Sequence, residues 1–469
     1  MTVLSPSGWS SGANIRRGFR VLVLVAILSV LTACGTAPPM VGSAPASTQD
    51  PKLEKRLHWI VEKLNAREKL TLDELVPGLD AERFSSEDTA GLLQYLNSVI
   101  RPQGPFAVVH YRQVAGDSSG LVASLRSRWG VITDLIFTLS DREKLASWMF
   151  KASDSVPDSA ESLEEVKQRL LNISPHLSLL VQRSRSGKVV TDIGVDAADS
   201  KPMASLFKLY VLGAVVREIS EARLSWGHAL TVREEIKSPG TGTLRDAPDG
   251  AEVSVLDAAK RMIDVSDNTA ADMLMQIVGS EALASAVRDL GHHDPKALDP
   301  FLSSREMFAL AVGEANDAAA GWADYDREAK RAIIASIDSS PIELDQLSTD
   351  QAFWPRGLDW FANAEDISAA LRQLGSMISE HPELREVLQL TSASDPAIDE
   401  LGIHVYKAGT APGVFSSAFM AELRDGTVVT AVAQIAVNDN GVSLDLQRDV
   451  ATSLVADALR ISGNRGAPG

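Results

Sequence analysis

Ser205-Leu206-Phe207-Lys208 sets a hydroxyl and an amine three residues apart. At a helix start such residues share a face, so the lysine amine can reach the serine hydroxyl. Serine is a poor nucleophile until a neighbour takes its proton. A lysine desolvated among apolar residues has its pKa lowered enough to take it. The helix start also offers backbone N–H groups and a partial positive charge to a developing oxyanion. Further along, Ser266-Asp267-Asn268 follows the turn signal Pro248-Asp249-Gly250 and the helix-opening pattern Ser254-Val255-Leu256-Asp257. The triplet therefore falls in a break between two helices, where side chains can point into a cleft. Lys407-Ala408-Gly409-Thr410 ends a strand-like run, and a glycine there lets a ligand approach the backbone closely. Taken singly these patterns are commonplace: a helix serine, a helix cap, a solvated edge-strand lysine.

The elements that must hold these residues can be read from periodicity and turn signals. A helix over 163–171 precedes strands at 177–182 and 189–195, joined across Arg185-Ser186-Gly187-Lys188. A long apolar helix runs from about Ser205 to Ile219. At the far end, strands at 404–406, 416–423 and 427–437 share the hairpin turn Asp425-Gly426, and a helix closes the chain over 444–459. A sheet built from both chain ends, with helices between, predicts one large α/β (α+β) domain over about 160–463. Ahead of it, helices at 52–65 and 86–100 and three β-rich runs at 106–112, 120–126 and 130–139 predict a small α+β domain over 51–152. Its order of elements is similar to the cone-shaped steroid-isomerase folds. Residues 153–159, polar and containing Pro157, read as the linker.

S-x-x-K, S-D-N and K-x-G in this order, on helix, loop and strand, resemble the signature of serine β-lactamases and penicillin-binding proteins, the class A β-lactamases in particular. The surrounding text agrees, in Lys201-Pro202-Met203-Ala204-Ser205 and Val265-Ser266-Asp267-Asn268-Thr269-Ala270-Ala271-Asp272. The resemblance implies a β-lactamase/transpeptidase-like fold with an antiparallel sheet and a helical region. It further implies that Ser205 is acylated, with Lys208 as its base partner and Ser266 relaying protons between Lys208 and Lys407. Asn268 would hold the substrate amide and Lys407 would attract a substrate carboxylate. The N–H groups of Ser205 and Thr410 would form the oxyanion hole, with Gly409 in the same substrate-binding stretch. The implied substrates are β-lactams, peptidoglycan-like D-Ala-D-Ala peptides or related esters. No metal or other cofactor is called for.

The sequence departs from that family in three ways. Class A enzymes carry a loop glutamate that activates the deacylating water, and residues 291–300 contain none. His292, His293, Asp294 and Asp299 are the weak substitutes, the histidine pair being expected in solvent. Ala408 stands where the family has Thr or Ser. The spacing from Ser266 to Lys407 is longer than in compact class A enzymes, an excess that includes 313–348. Trp354, Trp360 and Phe361 read as core or interface residues rather than substrate contacts. The small leading domain and short loop together resemble the β-lactamase-like proteins of clavulanic-acid clusters and related actinobacterial lipoproteins. That implies slow deacylation, with weak esterase or β-lactam-recognising activity.

The 469 residues are too many for one compact core, and 45% apolar content excludes wholesale disorder. A formal charge of −17 argues against nucleic acid as a partner. The single cysteine, Cys34, cannot make an intramolecular disulfide. It follows Arg16, Arg17 and Arg20, an apolar run over 21–31 and small residues. This resembles the lipobox of bacterial lipoproteins, with 1–33 as a signal peptide and 34–50 as lipidated cysteine plus flexible tether. The apolar run is far short of the ~20 residues a membrane-spanning helix needs. Arg16-Arg17 hints at twin-arginine export, although Arg20 sits where an apolar residue is usual. Cleavage before Cys34 removes three arginines and no acids, so the mature side-chain charge becomes −20. The expected location is extracytoplasmic, lipid-anchored to the cell membrane. Gly8-Trp9-Ser10-Ser11-Gly12 fits a nucleophile elbow by letters alone, and lies in the segment removed.

Overall fold

The computed structural model describes residues 50–114, 117–128, 132–152, 159–337, 342, 352–389, 403–438 and 445–465. The expected signal, Cys34, the tether up to residue 49, linker residues 153–158 and parts of the 313–348 excess lie outside them.

Helix α1 (Pro51–Asn65) starts at Asp50, whose side chain accepts the Lys52 N–H, and buries Leu53, Leu57, Ile60 and Leu64 along one stripe. After α2 (Leu72–Leu75), α3 (Ser86–Tyr95) opens on a reciprocal capping pair between Ser85 and Asp88. The expected 86–100 helix is α-helical only to Tyr95, and a wider π turn completes it over Leu96–Ile100. Strands β1 (Ala107–Val114), β2 (Asp117–Arg126), β3 (Ile132–Leu139) and β4 (Leu145–Ala152) form an antiparallel sheet in that order. The sequence reading has three strands here, and β4 corrects it. The α1 stripe meets Leu121, Ala123 and Leu125 of β2 and Leu135 and Phe137 of β3 in a core of their own.

Helix α4 (Leu163–Ile173), capped by Ser162, leads into β5 (Leu177–Arg185) and β6 (Lys188–Val195). Their turn places Ser186 and Gly187 at positive φ, as a two-residue hairpin requires. Short β7 (Lys201–Pro202) is followed by α5 (Lys208–Ser220). Strands β8 (Ala229–Thr231) and β9 (Glu252–Ser254) pair, and α6 (Val255–Asp264) begins on the Ser254 cap. Helix α7 (Asn268–Asp289) is interrupted at Gly279, whose φ of 77° is non-helical. Then come α8 (Ser304–Ala311), α9 (Arg327–Ser336), β10 (Phe361–Ala362), α10 (Ala364–Met377) and α11 (Pro382–Leu388). The chain ends in β11 (Ile403–Ala411), β12 (Val414–Glu422), β13 (Val428–Ala436) and α12 (Asp445–Gly463).

As expected, both chain ends build one sheet, antiparallel in the order β11-β12-β13-β5-β6, with β13 against β5 from Val428↔Ser184 to Ile435↔Leu177. Both faces of its middle are buried, so side chains alternate between two cores rather than between core and water. On β12, Ala418 and Met420 join the core containing α5, α7 and α10, while Phe415 and Phe419 join the core under α4 and α12. Each such aromatic side chain contributes roughly 1.5–3 kcal/mol through removal from water. Helix α5 is buried on nearly every side, from Leu209 to Val216. It is therefore an internal post rather than a surface helix.

A Cβ added at Gly78 would fall 2.2 Å from the Trp59 ring. Gly78→Ala should destabilise the α1–β4 portion by about 1–3 kcal/mol. In denaturant melts this should appear as a transition at lower denaturant than in the wild-type chain.

Candidate active site

The stretch before Ser205 is tied down on several sides. Pro202 pairs with Phe361, the Met203 N–H donates to Trp360 O (2.8 Å), and Met203 O accepts from Ser416 Oγ (2.6 Å). Ala204 then takes a φ of 43°, a left-handed conformation that costs a residue with a Cβ of order 1–3 kcal/mol. Its N–H donates to Asp359 Oδ1 (2.8 Å). Ser205 itself lies on a 3-10 turn, Ala204–Phe207, and α5 begins only at Lys208. The sequence reading places this serine on the long helix, so the turn is a correction with a chemical consequence. In a 3-10 turn residues three apart eclipse, which stacks Ser205 and Lys208 on one side. The Lys208 N–H closes the turn on Ser205 O. Trp360 stacks on Phe207 with 3.8 Å between ring centroids and donates its Nε1–H to Leu302 O, so it is core, as expected. Trp354 donates to Val437 O.

Ser205, half-buried, faces a glycine. A Cβ on Gly409 would fall 2.5 Å from the Ser205 amide nitrogen, 2.6 Å from Met203 O and 2.8 Å from Ser416 Oγ. Strand β11 thus reaches Ser205 only because position 409 has no side chain. Thr410, next on β11, is exposed, and Ala408 is half-buried.

Two amines converge on Ser266. Lys208 Nζ lies 3.0 Å from Ser266 Oγ, 2.5 Å from Ser266 O and 2.7 Å from Asn268 Oδ1. Lys407 Nζ lies 3.0 Å from the same Oγ and donates to Ala408 O (2.8 Å). Burial holds the Lys208 pKa well below its ordinary value, helped by the charge of Lys407 and opposed by Asp272 and Asp267. Burial lowers Lys407 to about 7. Lys208 donates to Ser266 O, Ser266 Oγ and Asn268 Oδ1, and Lys407 donates to the same hydroxyl oxygen.

Ser266, at a φ of 57°, occupies the break between α6 and α7 that the sequence indicates. Asp267 locks this break by accepting the N–H groups of Thr243 (2.7 Å), Leu244 (3.0 Å) and Ala270 (3.0 Å). Asn268 donates through Nδ2 to Pro239 O (2.7 Å), which leaves one Nδ2–H for another acceptor.

Two carboxylates escape the sequence reading. Asp272, one turn into α7, accepts the Ser304 and Arg305 N–H groups (2.7 and 2.8 Å) at the start of α8, and burial raises its pKa to about 7. Asp359, just before β10, is likewise raised to about 7 by burial, against the pull of backbone N–H groups from Ala204, Trp360 and Met203. Only the family-like text around Asp272 marks it, and no local pattern marks Asp359.

The candidate substitutes for a loop base are drawn elsewhere. His292, expected in solvent, is buried: its Nε2–H donates to Phe361 O (2.9 Å) and its Nδ1 accepts the Asp294 N–H (3.1 Å). His293 is the more exposed of the pair, and its Nδ1 lies 2.6 Å from Asp366 Oδ2. Asp366 also accepts the N–H groups of His293 (2.7 Å) and Asn363 (3.0 Å). These three side chains could be mistaken for a metal site. Both nitrogens of His292 are already used, however, so the cluster is a clasp between this loop and the α10 cap. Asp294 accepts the Lys296 N–H (3.2 Å) and starts a short 3-10 turn. Asp299 pairs with Arg327 (2.7 Å) and Arg331 (3.4 Å) of α9.

Residues 163–329 match the beta-lactamase enzyme family, a span that contains Ser205, Lys208 and Ser266 but ends before Lys407. The match concerns that stretch alone, and the described residues there combine helices with antiparallel strands. Among solved structures the chain is similar to a beta-lactamase from Sphaerobacter thermophilus (16% identity, TM-score 0.45, covering 66% of this chain and 100% of that one). It is also similar to PBP-A, in a point mutant described as an acyl-enzyme complex with penicillin-G (17%, 0.43, 65% and 98%). A third is a beta lactamase from Xanthomonas campestris (18%, 0.42, 63% and 97%). No curated protein matches the chain.

Gly409→Ala should keep the overall fold yet lose labelling of Ser205 by acyl donors by about 100-fold, the scale of a lost oxyanion donor. Intact mass after timed incubation reads this directly, and wild-type labelling rates in the variant would contradict it.

Proposed function

We propose that the chain is a lipid-anchored serine hydrolase that forms an acyl-enzyme on Ser205 with β-lactams or related esters and amides, and releases it slowly. The observation that carries this reading is the convergence of Lys208 and Lys407 on Ser266 Oγ, at 3.0 Å each. Neutral Lys208 takes the Ser205 proton as Oγ attacks the carbonyl carbon. The N–H groups of Ser205 and Thr410 receive the oxyanion. When the tetrahedral centre collapses, the C–N or C–O bond breaks, and Ser266 passes the proton that Lys208 took from Ser205 to the leaving atom. Lys407 and Asn268 bind the carboxylate and amide of the donor. Hydrolysis of the ester then needs a base for water. Asp299 is engaged by α9 and His292 by Phe361, which supports slow deacylation.

That slowness favours a second reading, in which a lasting adduct with a β-lactam or a peptidoglycan-like peptide serves as a signal. A D-Ala-D-Ala carboxypeptidase is the remaining enzyme alternative. We further propose residues 51–152 as a separate domain, and Cys34 as the lipid attachment that keeps the protein on the outer face of the membrane. Globomycin-sensitive processing and loss of membrane fractionation in Cys34→Ala would support the anchor.

Mixing the protein with a fluorescent penicillin should give a mass adduct that Ser205→Ala lacks. A chromogenic cephalosporin should show a burst followed by slow turnover. Absence of an adduct with any acyl donor would sink the assignment, and an adduct without turnover would favour the signalling reading.

The pH dependence follows from Lys407. With its pKa lowered to about 7, it is charged below that pH and neutral above it. The second-order acylation constant for a carboxylate-bearing donor should therefore fall as pH rises through 7. Its methyl ester should show no such limb, nor should Lys407→Met with either donor.

A further inference from the structure

Ala204 is an alanine in a left-handed conformation directly before the nucleophile. A residue with a Cβ stays there only when its surroundings over-determine it. Met203 is held through its N–H by Trp360 O and through its C=O by Ser416 Oγ. The Met203 C=O and the Ala204 N–H belong to one planar peptide unit, which is therefore held at both ends: its oxygen by Ser416 Oγ, and its N–H by a side chain distant in sequence, Asp359 Oδ1 at 2.8 Å. The same oxygen also accepts the Trp360 N–H at 2.7 Å, which pins the carboxylate to the strand that pairs with Lys201 and Pro202. One residue past Ala204, the Ser205 amide nitrogen sits beside the open position of Gly409.

We propose that Asp359 is a positioning residue for acyl transfer at Ser205: by accepting the Ala204 N–H, it fixes the left-handed residue that aims the Ser205 amide at the developing oxyanion. This rests on Ser205 being acylated. Asp359 does not touch the donor. It sets the direction of a group that does, and a small misdirection of an oxyanion donor weakens the transition state more than the ground state. Binding of the donor before chemistry should therefore be unaffected by its loss.

The test is rapid-mixing acylation of the full chain by a fluorescent penicillin, resolving the pre-covalent dissociation constant from the acylation rate constant. Asp359→Leu keeps the branched shape and removes the acceptor. It should slow acylation about 30- to 100-fold, the scale of a roughly 1 Å misplacement, with the dissociation constant within about twofold of wild type. Asp359→Asn retains an acceptor oxygen and should recover to within about fivefold of wild type. Should the leucine variant fail to fold, Asp359→Ala carries the same expectation, with thermal melts reporting folding.

Wild-type acylation rates in the leucine or alanine variant, with the adduct still on Ser205, would overturn the positioning role alone. So would an asparagine variant as slow as leucine, or a loss confined to the dissociation constant. A wild-type chain that forms no Ser205 adduct overturns both this proposal and the hydrolase reading beneath it.

Discussion

Two amines held around one hydroxyl, out of water, set the terms for the rest of the molecule. An ammonium removed from water loses several kcal/mol of hydration, and a second one nearby adds repulsion. The fold answers by holding the Lys208 pKa well below its ordinary value and by giving its nitrogen contacts to Ser266 and Asn268. Such an arrangement needs walls that do not yield. Helix α5 supplies one by being buried on nearly every side, and the Asp267-capped break before α7 supplies another. The sheet supplies the third, since β11 carries Lys407 on the strand whose glycine lies against Ser205.

Strain is concentrated where these walls meet. Ala204, next to Ser205, and Ser266, between the two amines' nitrogens, both have positive φ. Each is flanked by a carboxylate acceptor, Asp359 for the first and Asp267 for the segment of the second. Carboxylates buried without a cation are costly, and their placement against backbone N–H groups offsets part of that cost. Asp272 fits the same pattern at the start of α8.

Much of this was legible in the sequence, because the motif residues are chain-local signals. Ser205 and Lys208 are separated by one turn, Ser254 announces α6, and Asp425-Gly426 announces the β12–β13 hairpin, with Gly426 at a φ of 81°. The two-ended sheet followed from strand patterns at both termini. What stayed hidden depends on partners far away in the chain. β4 reads Leu-Ala-Ser-Trp-Met-Phe-Lys-Ala, without a β-branched residue, and is a strand because Trp148 and Phe150 pair with Phe137 and Leu135. His292 is buried and bonded to Phe361 O, and Asp359 accepts the N–H of Ala204, 155 residues away in the sequence. The helix start was misplaced by one turn because a 3-10 segment has the same local composition as an α-helical one.

Asp299, turned toward Arg327 and Arg331, brings the solvent's ions into the picture. Those arginines are about half exposed, so their grip on the loop is weakened by dissolved salt over a Debye length of about 8 Å at physiological strength. Lys208 and Lys407 are buried, where screening is weaker. A saline environment therefore acts more strongly on the Asp299 loop than on the contacts around Ser266.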